Sequence, residues 1–293
     1  MSLNNFIPAD VMGAFILERL EKVLVAGNVV NTDYQGLIAQ QGDSVKIPSM
    51  GDIDTSDYTN NETLSYGNVD SAGQILNIDQ AKKFVKQVSL VDSKQAAALI
   101  IPEVARRGAF EIAKDVDTYI LQTIMPSGAL TVGGTGTSAL GTSSTPVNVN
   151  ISESTTSGVI GYVGRLSQRL DEADVDQEGR FLVCPPWFHN YLVQNKVLET
   201  DGSVSAEDAY TNGRVGRVMG FDVRVSNNLT NASAAGSHIF AGTVSSVTFA
   251  GNLIDSQVID LESKFGTGIR GLYIYGAKTV LGEATAFGVI SQV

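Results

Sequence analysis

Gly42-Asp43-Ser44-Val45-Lys46-Ile47-Pro48 opens a stretch of about fifty residues without helical periodicity, which Ile75-Leu76-Asn77-Ile78-Asp79 and Phe84-Val85-Lys86-Gln87-Val88 close. The alternating runs Val45-Lys46-Ile47 and Ile75-Leu76-Asn77-Ile78 read as two short strands. Between them lie Asp52, Asp54, Asp57, Glu62 and Asp70, with no Lys or Arg from 52 to 70. An acidic excursion with strand-like ends cannot bury much of itself, because an unpaired carboxylate resists leaving water. The stretch predicts a two-stranded arm that reaches out and lies on another molecule, and so an assembling protein.

After the arm, residues 93–101 predict a short helix capped by Asp92 or Ser93. Pro102 is tolerated in a first turn, so a longer helix is expected from Pro102 to about Ile124. Ala105, Ala109, Ile112, Val116, Tyr119 and Thr123 recur along it at spacings of three and four, and Ile120 and Ile124 widen the stripe. Pro126-Ser127-Gly128 is expected to end it. Before the arm, Val11, Phe15, Leu17, Leu20 and Leu24 mark one side of a terminal helix.

Residues 127–152 hold no charged side chain and are rich in Gly, Ser and Thr, which predicts an exposed loop or loose hairpin. Thr155-Thr156-Ser157 then suggests the cap of a helix with Val159, Val163, Leu166 and Leu170 on one face. Arg180-Phe181-Leu182-Val183-Cys184 reads as a buried strand, and Pro185-Pro186 as the start of a helix reaching about Asn195. Residues 215–219 and 221–225 predict paired strands around Gly220, residues 239–250 continue a sheet, and 257–260, 272–275 and 279–281 alternate as further strands.

A chain of 293 residues has room for one large domain or two modest ones. The net charge of −11 argues against tight wrapping of nucleic acid, which needs clustered Lys and Arg. The single cysteine, Cys184, excludes an internal disulfide. Met1-Ser2-Leu3-Asn4-Asn5-Phe6 lacks the basic start of a secretion signal, and no run of about twenty apolar residues follows, so a soluble, unsecreted protein without a membrane partner is expected.

Catalytic motifs are thin. Gly266-Thr267-Gly268-Ile269-Arg270-Gly271 fits the dinucleotide fingerprint, which works only between a strand and a helix N-terminus. Here the next residues alternate as a strand, and a hairpin tip is expected. Cys184 and His189 stand five apart, but a cysteine before two prolines reads as a small buried hydrophobe, and His238 has no metal-ligand spacing with either. Asp171, Glu172, Asp174, Asp176 and Glu178 lack the spacing of a calcium loop and read as a solvated helix end. No catalytic constellation, metal site or cofactor is expected, and the protein is read as a non-enzyme.

The order of these segments resembles that of the tailed-bacteriophage major capsid proteins, whose fold is shared with encapsulin shells. The resemblance rests on Gly42-Asp43-Ser44-Val45-Lys46-Ile47-Pro48, Leu76-Asn77-Ile78-Asp79 leading to Lys83-Phe84, and Asp115-Val116-Asp117-Thr118-Tyr119-Ile120-Leu121. It also rests on Gly213-Arg214-Val215-Gly216-Arg217-Val218-Met219-Gly220-Phe221-Asp222-Val223 and Gly276-Ala277-Lys278. It implies an α+β fold: an N-terminal arm over 1–30, an extended two-stranded loop over 31–92, and a peripheral domain with a long spine helix over 93–154. A mixed α/β axial domain would follow over 155–250, and strands returning to the peripheral domain over 251–293.

The resemblance further implies a structural protein of a virion or prophage that self-assembles into pentamers and hexamers of an icosahedral head around phage DNA, in the bacterial host cytoplasm. A scaffolding protein, if used, would be separate, and a portal would be a further partner; the DNA would be enclosed without tight or specific binding. Some relatives cross-link through a lysine on the extended loop, but no lysine lies between Lys46 and Lys82 here, so a noncovalent shell is expected. An encapsulin-type compartment is the alternative, and a dinucleotide-binding enzyme using Gly266 to Gly271 a remote one. For contact between subunits, the acidic arm residues Asp52, Asp54, Asp57, Glu62 and Asp70 are expected to seek Arg106 and Arg107 on a neighbour's long helix, with Lys82, Lys83 and Lys86 behind them.

Overall fold

The computed structural model describes residues 26–34, 42–50, 71–89, 100–130, 140–151, 158–195, 217–229, 236–262 and 264–292, with the single residues 55, 57 and 60. The terminal helix expected near 11–24 and most of the short helix expected over 93–101 lie outside the described residues.

Strands β1 (Ser44–Met50) and β2 (Ser71–Asn77) pair antiparallel, with Val45 opposite Leu76, and form the predicted arm. The pleat buries Val45, Ile47 and Leu76 while Ser44, Lys46 and Ile75 face out. Strand β3 (Gln80–Ser89) is not part of that hairpin. It pairs with β10 (Gly266–Thr279), which also pairs with β9 (Val247–Asp260), in a three-stranded sheet ordered β3-β10-β9. Phe84 and Val88 give β3 an apolar face against the core, so the free arm is narrower than the 31–92 span expected of the extended loop.

Helix α1 (Ile100–Tyr119) passes through a π-helical turn, Ile120–Ile124, into α2 (Met125–Gly128). Ala105, Ala109, Ile112 and Val116 are buried, as their spacing predicts. The helix starts earlier than expected, yet Pro102 still falls in its first turn. It also runs on through Pro126, which the sequence suggests as its end. Proline lacks an N–H, and its ring crowds the carbonyl four residues back, here that of Gln122. The wide π turn, closed by the Met125 N–H on the Ile120 carbonyl, resets the ladder before Pro126 and lets one more turn form. The Ser127 and Thr279 hydroxyls then donate to the Ile124 carbonyl at 2.7 and 3.0 Å.

A six-stranded mixed sheet comprises β4 (Val147–Val149), β5 (Arg180–Cys184), β6 (Arg217–Val218), β7 (Phe221–Val225), β8 (Ser237–Thr243) and β11 (Thr285–Gln292), in the order β4-β11-β8-β5-β7-β6. Helices α3 (Val159–Glu172) and α4 (Pro186–Gln194) pack on one face through Tyr162, Val163, Leu166, Leu170, Phe188 and Leu192. The other face joins the core around α1. Thus in β5 Leu182 and Cys184 face the α3 side, while Phe181 and Val183 face the α1 side. A strand buried on both faces reads as an unbroken apolar run, which is how it was recognisable. Met219 (φ 49°) and Gly220 (φ 83°) make the two-residue turn between β6 and β7; two positive φ angles in succession suit such a hairpin turn.

Three expectations need correction. First, β11 lies inside the six-stranded sheet beside β8, so 251–293 is divided between two sheets, and β4 of the 93–154 span pairs with β11 in the same six-stranded sheet. Thr285 to Ile290 are buried throughout, so their run carries no alternation to mark a strand, whereas residues 280–281, which did alternate, form a turn. Second, the charge-free segment is not uniformly exposed: Leu140, Gly141 and Val149 are buried, and the Tyr162 hydroxyl donates to the Leu140 carbonyl at 2.6 Å. Third, Gly158 is the N-cap of α3 and makes no side-chain cap bond; residues 155–157 lie outside the described residues.

Candidate functional site

The arm is fastened at its base. Val45, Ile47, Leu76 and Ile78 pack with Ala250 and Ile274 in a small separate core, with Tyr34 and Val280 against it. Strand β10 alternates Ile274, Gly276 and Lys278 toward the arm and Tyr273, Tyr275 and Ala277 toward α1. At Gly276 a β-carbon would run into the Asn77 carbonyl oxygen, so only glycine lets the hairpin close down here. The Lys278 ammonium donates to the Ile75 carbonyl at 3.1 Å, and the Gln74 amide to the Val280 carbonyl at 2.9 Å. Gly276-Ala277-Lys278 therefore works as a unit: room, apolar anchor and donor.

Of the five acidic residues expected to make contacts, Asp57 is described and lies exposed; Asp52, Asp54, Glu62 and Asp70 are outside the described residues. Arg106 and Arg107 do lie together on the outer face of α1, and the structure adds Glu103, which the sequence reading overlooked. Glu103 accepts from Arg106 at 3.4 Å and from Arg107 at 3.2 Å, at the spacings of three and four that favour such pairs. That spacing was the available signal. Lys82 pairs with Asp115 of α1 at 3.2 Å, while Lys83 and Lys86 are exposed on β3.

The motifs with catalytic overtones resolve into packing. Gly266 to Gly271 form the first half of β10, with β3 on one side and β9 on the other. This is a central strand rather than the expected hairpin tip, and no helix N-terminus follows to hold a pyrophosphate. Cys184 is wholly buried, which pushes its thiol up to about 12 and away from the reactive thiolate. Burial likewise lowers the pKa of His189. The acidic run wraps Arg180: that buried guanidinium pairs with Asp171 at 2.8 Å and donates to the carbonyls of Val175 and Asp176. Among the described residues no group of three or more His, Cys, Asp or Glu is placed to hold a metal ion.

Residues 79–289 match the family described as phage capsid protein. The chain belongs to that family. Solved structures extend the likeness to nearly the whole capsid protein. A chain of Mycobacterium phage Che8 superposes with a TM-score of 0.70 at 21% identity, over 90% of each chain. The capsid of cyanophage P-SCSP1u follows with a TM-score of 0.65 at 16% identity, over 90% of this chain and 86% of that one. A virus-like particle from Pyrococcus furiosus shares the fold with a TM-score of 0.57 at 10% identity, over 97% of this chain and all of the other. A search of curated protein sequences finds no match. The protein is a major capsid shell protein, a structural component of the phage virion. In this capsid protein the arm base, the spine helix and the two sheets are the features to read for assembly.

Proposed function

We propose that this capsid protein self-assembles, without covalent cross-links, into pentamers and hexamers of an icosahedral head that encloses phage DNA. The observation that carries this reading is the arm: a hairpin fastened to β10 at its base, with an acidic stretch beyond it whose residues 55, 57 and 60 are exposed. An arm fastened at its base, with no cation over 52–70, is suited to lie on a neighbour's positive surface. The proposed acceptor is Arg106 and Arg107, on which the arm carboxylates of the adjacent subunit would compete with Glu103. The absence of lysine from 47 to 81 leaves the distal arm no amine for a cross-link.

Assembly in the host cytoplasm, with a separate scaffold and a portal as partners, completes the reading. The acidic balance of the chain favours packing DNA without gripping it. Electron microscopy of the purified protein tests this: closed icosahedral particles are expected, and a protein that stays monomeric at high concentration would overturn it. Particles filled with enzyme cargo instead of DNA would favour the compartment-shell alternative. A covalent ladder on a denaturing gel of mature particles would remove the noncovalent part alone.

A further inference from the structure

We propose that Asp117 is a positioning residue for assembly: its carboxylate clasps the segment that begins at Ala26 and the turn after β7 to the spine helix, and so fixes the point at which the N-terminal segment joins the core. Asp117 lies near the end of α1 and is 2% exposed. Its Oδ1 accepts the Ala26 backbone N–H at 2.8 Å. Its Oδ2 accepts the Asn228 side-chain amide at 2.8 Å and the Ser226 hydroxyl at 3.4 Å. The partners are 91 to 111 residues away in sequence, so one side chain joins three distant segments.

The clasp is built on both sides. The Gln122 amide donates to the Asn228 carbonyl at 2.8 Å, and the Ser226 oxygen accepts the Asn228 N–H at 3.2 Å, which fixes the turn that presents both donors. Ala26 is wholly buried, and Val29 and Val30 follow it into the α1 core. Asn31 then bridges the edge of β9, donating to the Val247 carbonyl and accepting from the Phe249 N–H, each at 2.8 Å. The segment that follows the first 25 residues is thus held at two points, and only the Asp117 point also holds the six-stranded sheet. Three uncharged donors converge on two oxygens. Asparagine in that place would turn its own N–H₂ toward one of them. The residue identity follows from the convergence, since a buried carboxylate is costly unless its lone pairs are met.

The role in assembly rests on the shell reading above; the clasp does not, and the test separates them. In unassembled subunits of Asp117→Asn, tryptic cleavage after Arg19 or Lys22 should quicken by about tenfold, the scale set by losing one charge-assisted hydrogen bond, and particle yield should fall. The reciprocal swap Asp117→Asn with Asn228→Asp restores opposed donor and acceptor, and both readouts should return toward those of the unaltered chain. Leu166→Ala, a destabilising change in the α3 core, should leave cleavage of the arm unchanged. Asp117→Asn with unaltered cleavage and yield, or a swap that recovers neither, overturns the proposal. Should the single variant not fold, a swap that folds and is cleaved at the rate of the unaltered chain supports the clasp, and one that stays unfolded overturns it. Failure of the unaltered chain to form particles would undo the shell reading while the cleavage result still decides the clasp.

Discussion

Phe84 and Gly271 stand directly opposite each other on β3 and β10, and the phenyl ring fills the space a β-carbon at 271 would need. From the other side Gly108 of α1 approaches the same ring, where a β-carbon would lie 2.7 Å from it. The last glycine of the apparent dinucleotide motif is therefore there for helix–sheet packing. Gly271→Ala should destabilise the subunit by about 1–3 kcal/mol, the usual cost of overpacking. Combining it with Phe84→Leu should recover part of that loss in urea denaturation. A Gly271→Ala midpoint equal to that of the unaltered chain would sink this account.

Leu76 is wholly buried at the arm base, while Lys278 reaches the Ile75 carbonyl from a half-exposed position. Leu76→Ala should cost about 2–5 kcal/mol through the cavity it leaves. Lys278→Met keeps most of the aliphatic stem and should cost no more than about 1–3 kcal/mol. Both should lower particle yield, with Leu76→Ala the worse. Thermal unfolding of subunits and sedimentation of particles measure the two effects separately, and equal losses from the two variants would contradict the ranking.

Glu103 already occupies Arg106 and Arg107 within the subunit, so an incoming arm must displace it. Each exposed pair is worth only about 0–1 kcal/mol and weakens with salt, yet the proposed contact would repeat around a shell. Arg106→Glu with Arg107→Glu should abolish or sharply reduce particles while leaving the subunit folded. Glu103→Gln, which removes the charge competing for these guanidinium groups, should raise yield and move assembly to higher salt. Unchanged yield from the charge reversal would exclude these arginines as the acceptor.

The arm, the spine helix and the central strand β5 were legible because each carries a simple pattern: two alternating runs around an acid-only stretch, a stripe at spacings of three and four, and a continuous apolar run. What escaped depended on partners distant in the chain. Strand β11 has no alternation because both its faces are buried, and its pairing with β8 and β4 has no local signature. Gly271 and Gly276 spell loop-like letters inside a central strand, since what they make room for, Phe84 and Asn77, comes from elsewhere in the sequence. The helix outruns Pro126 because a π turn absorbs the missing donor. Of the residues proposed to act in assembly, Arg106 and Arg107 could be picked as surface cations, but Asp117 could not be told from any other acid on a helix.

His238 is 3% exposed on β8, with its ring set edge-on to Phe287 at 5.1 Å and Phe240 at 6.1 Å. Burial lowers its pKa below the ordinary 6.5, and the Leu121 backbone partly opposes the shift. The sign follows from proton counting. Above about pH 6.5 the imidazole is neutral in both folded and unfolded chains and contributes no pH dependence. Below it the unfolded chain takes up a proton that the folded chain refuses, so stability falls as pH drops toward the depressed folded value. One such histidine contributes a slope of at most about 1.4 kcal/mol per pH unit. His189, also lowered by burial, acts in the same direction. Urea midpoints should therefore stay nearly level from pH 8 to 7 and decline as the pH falls below about 6.5, before most carboxylates titrate. His238→Phe, which suits the aromatic surroundings, should flatten that decline in part, leaving the share due to His189. An imidazole proton resonance of His238 titrating at or above 6.5 would refute the assignment.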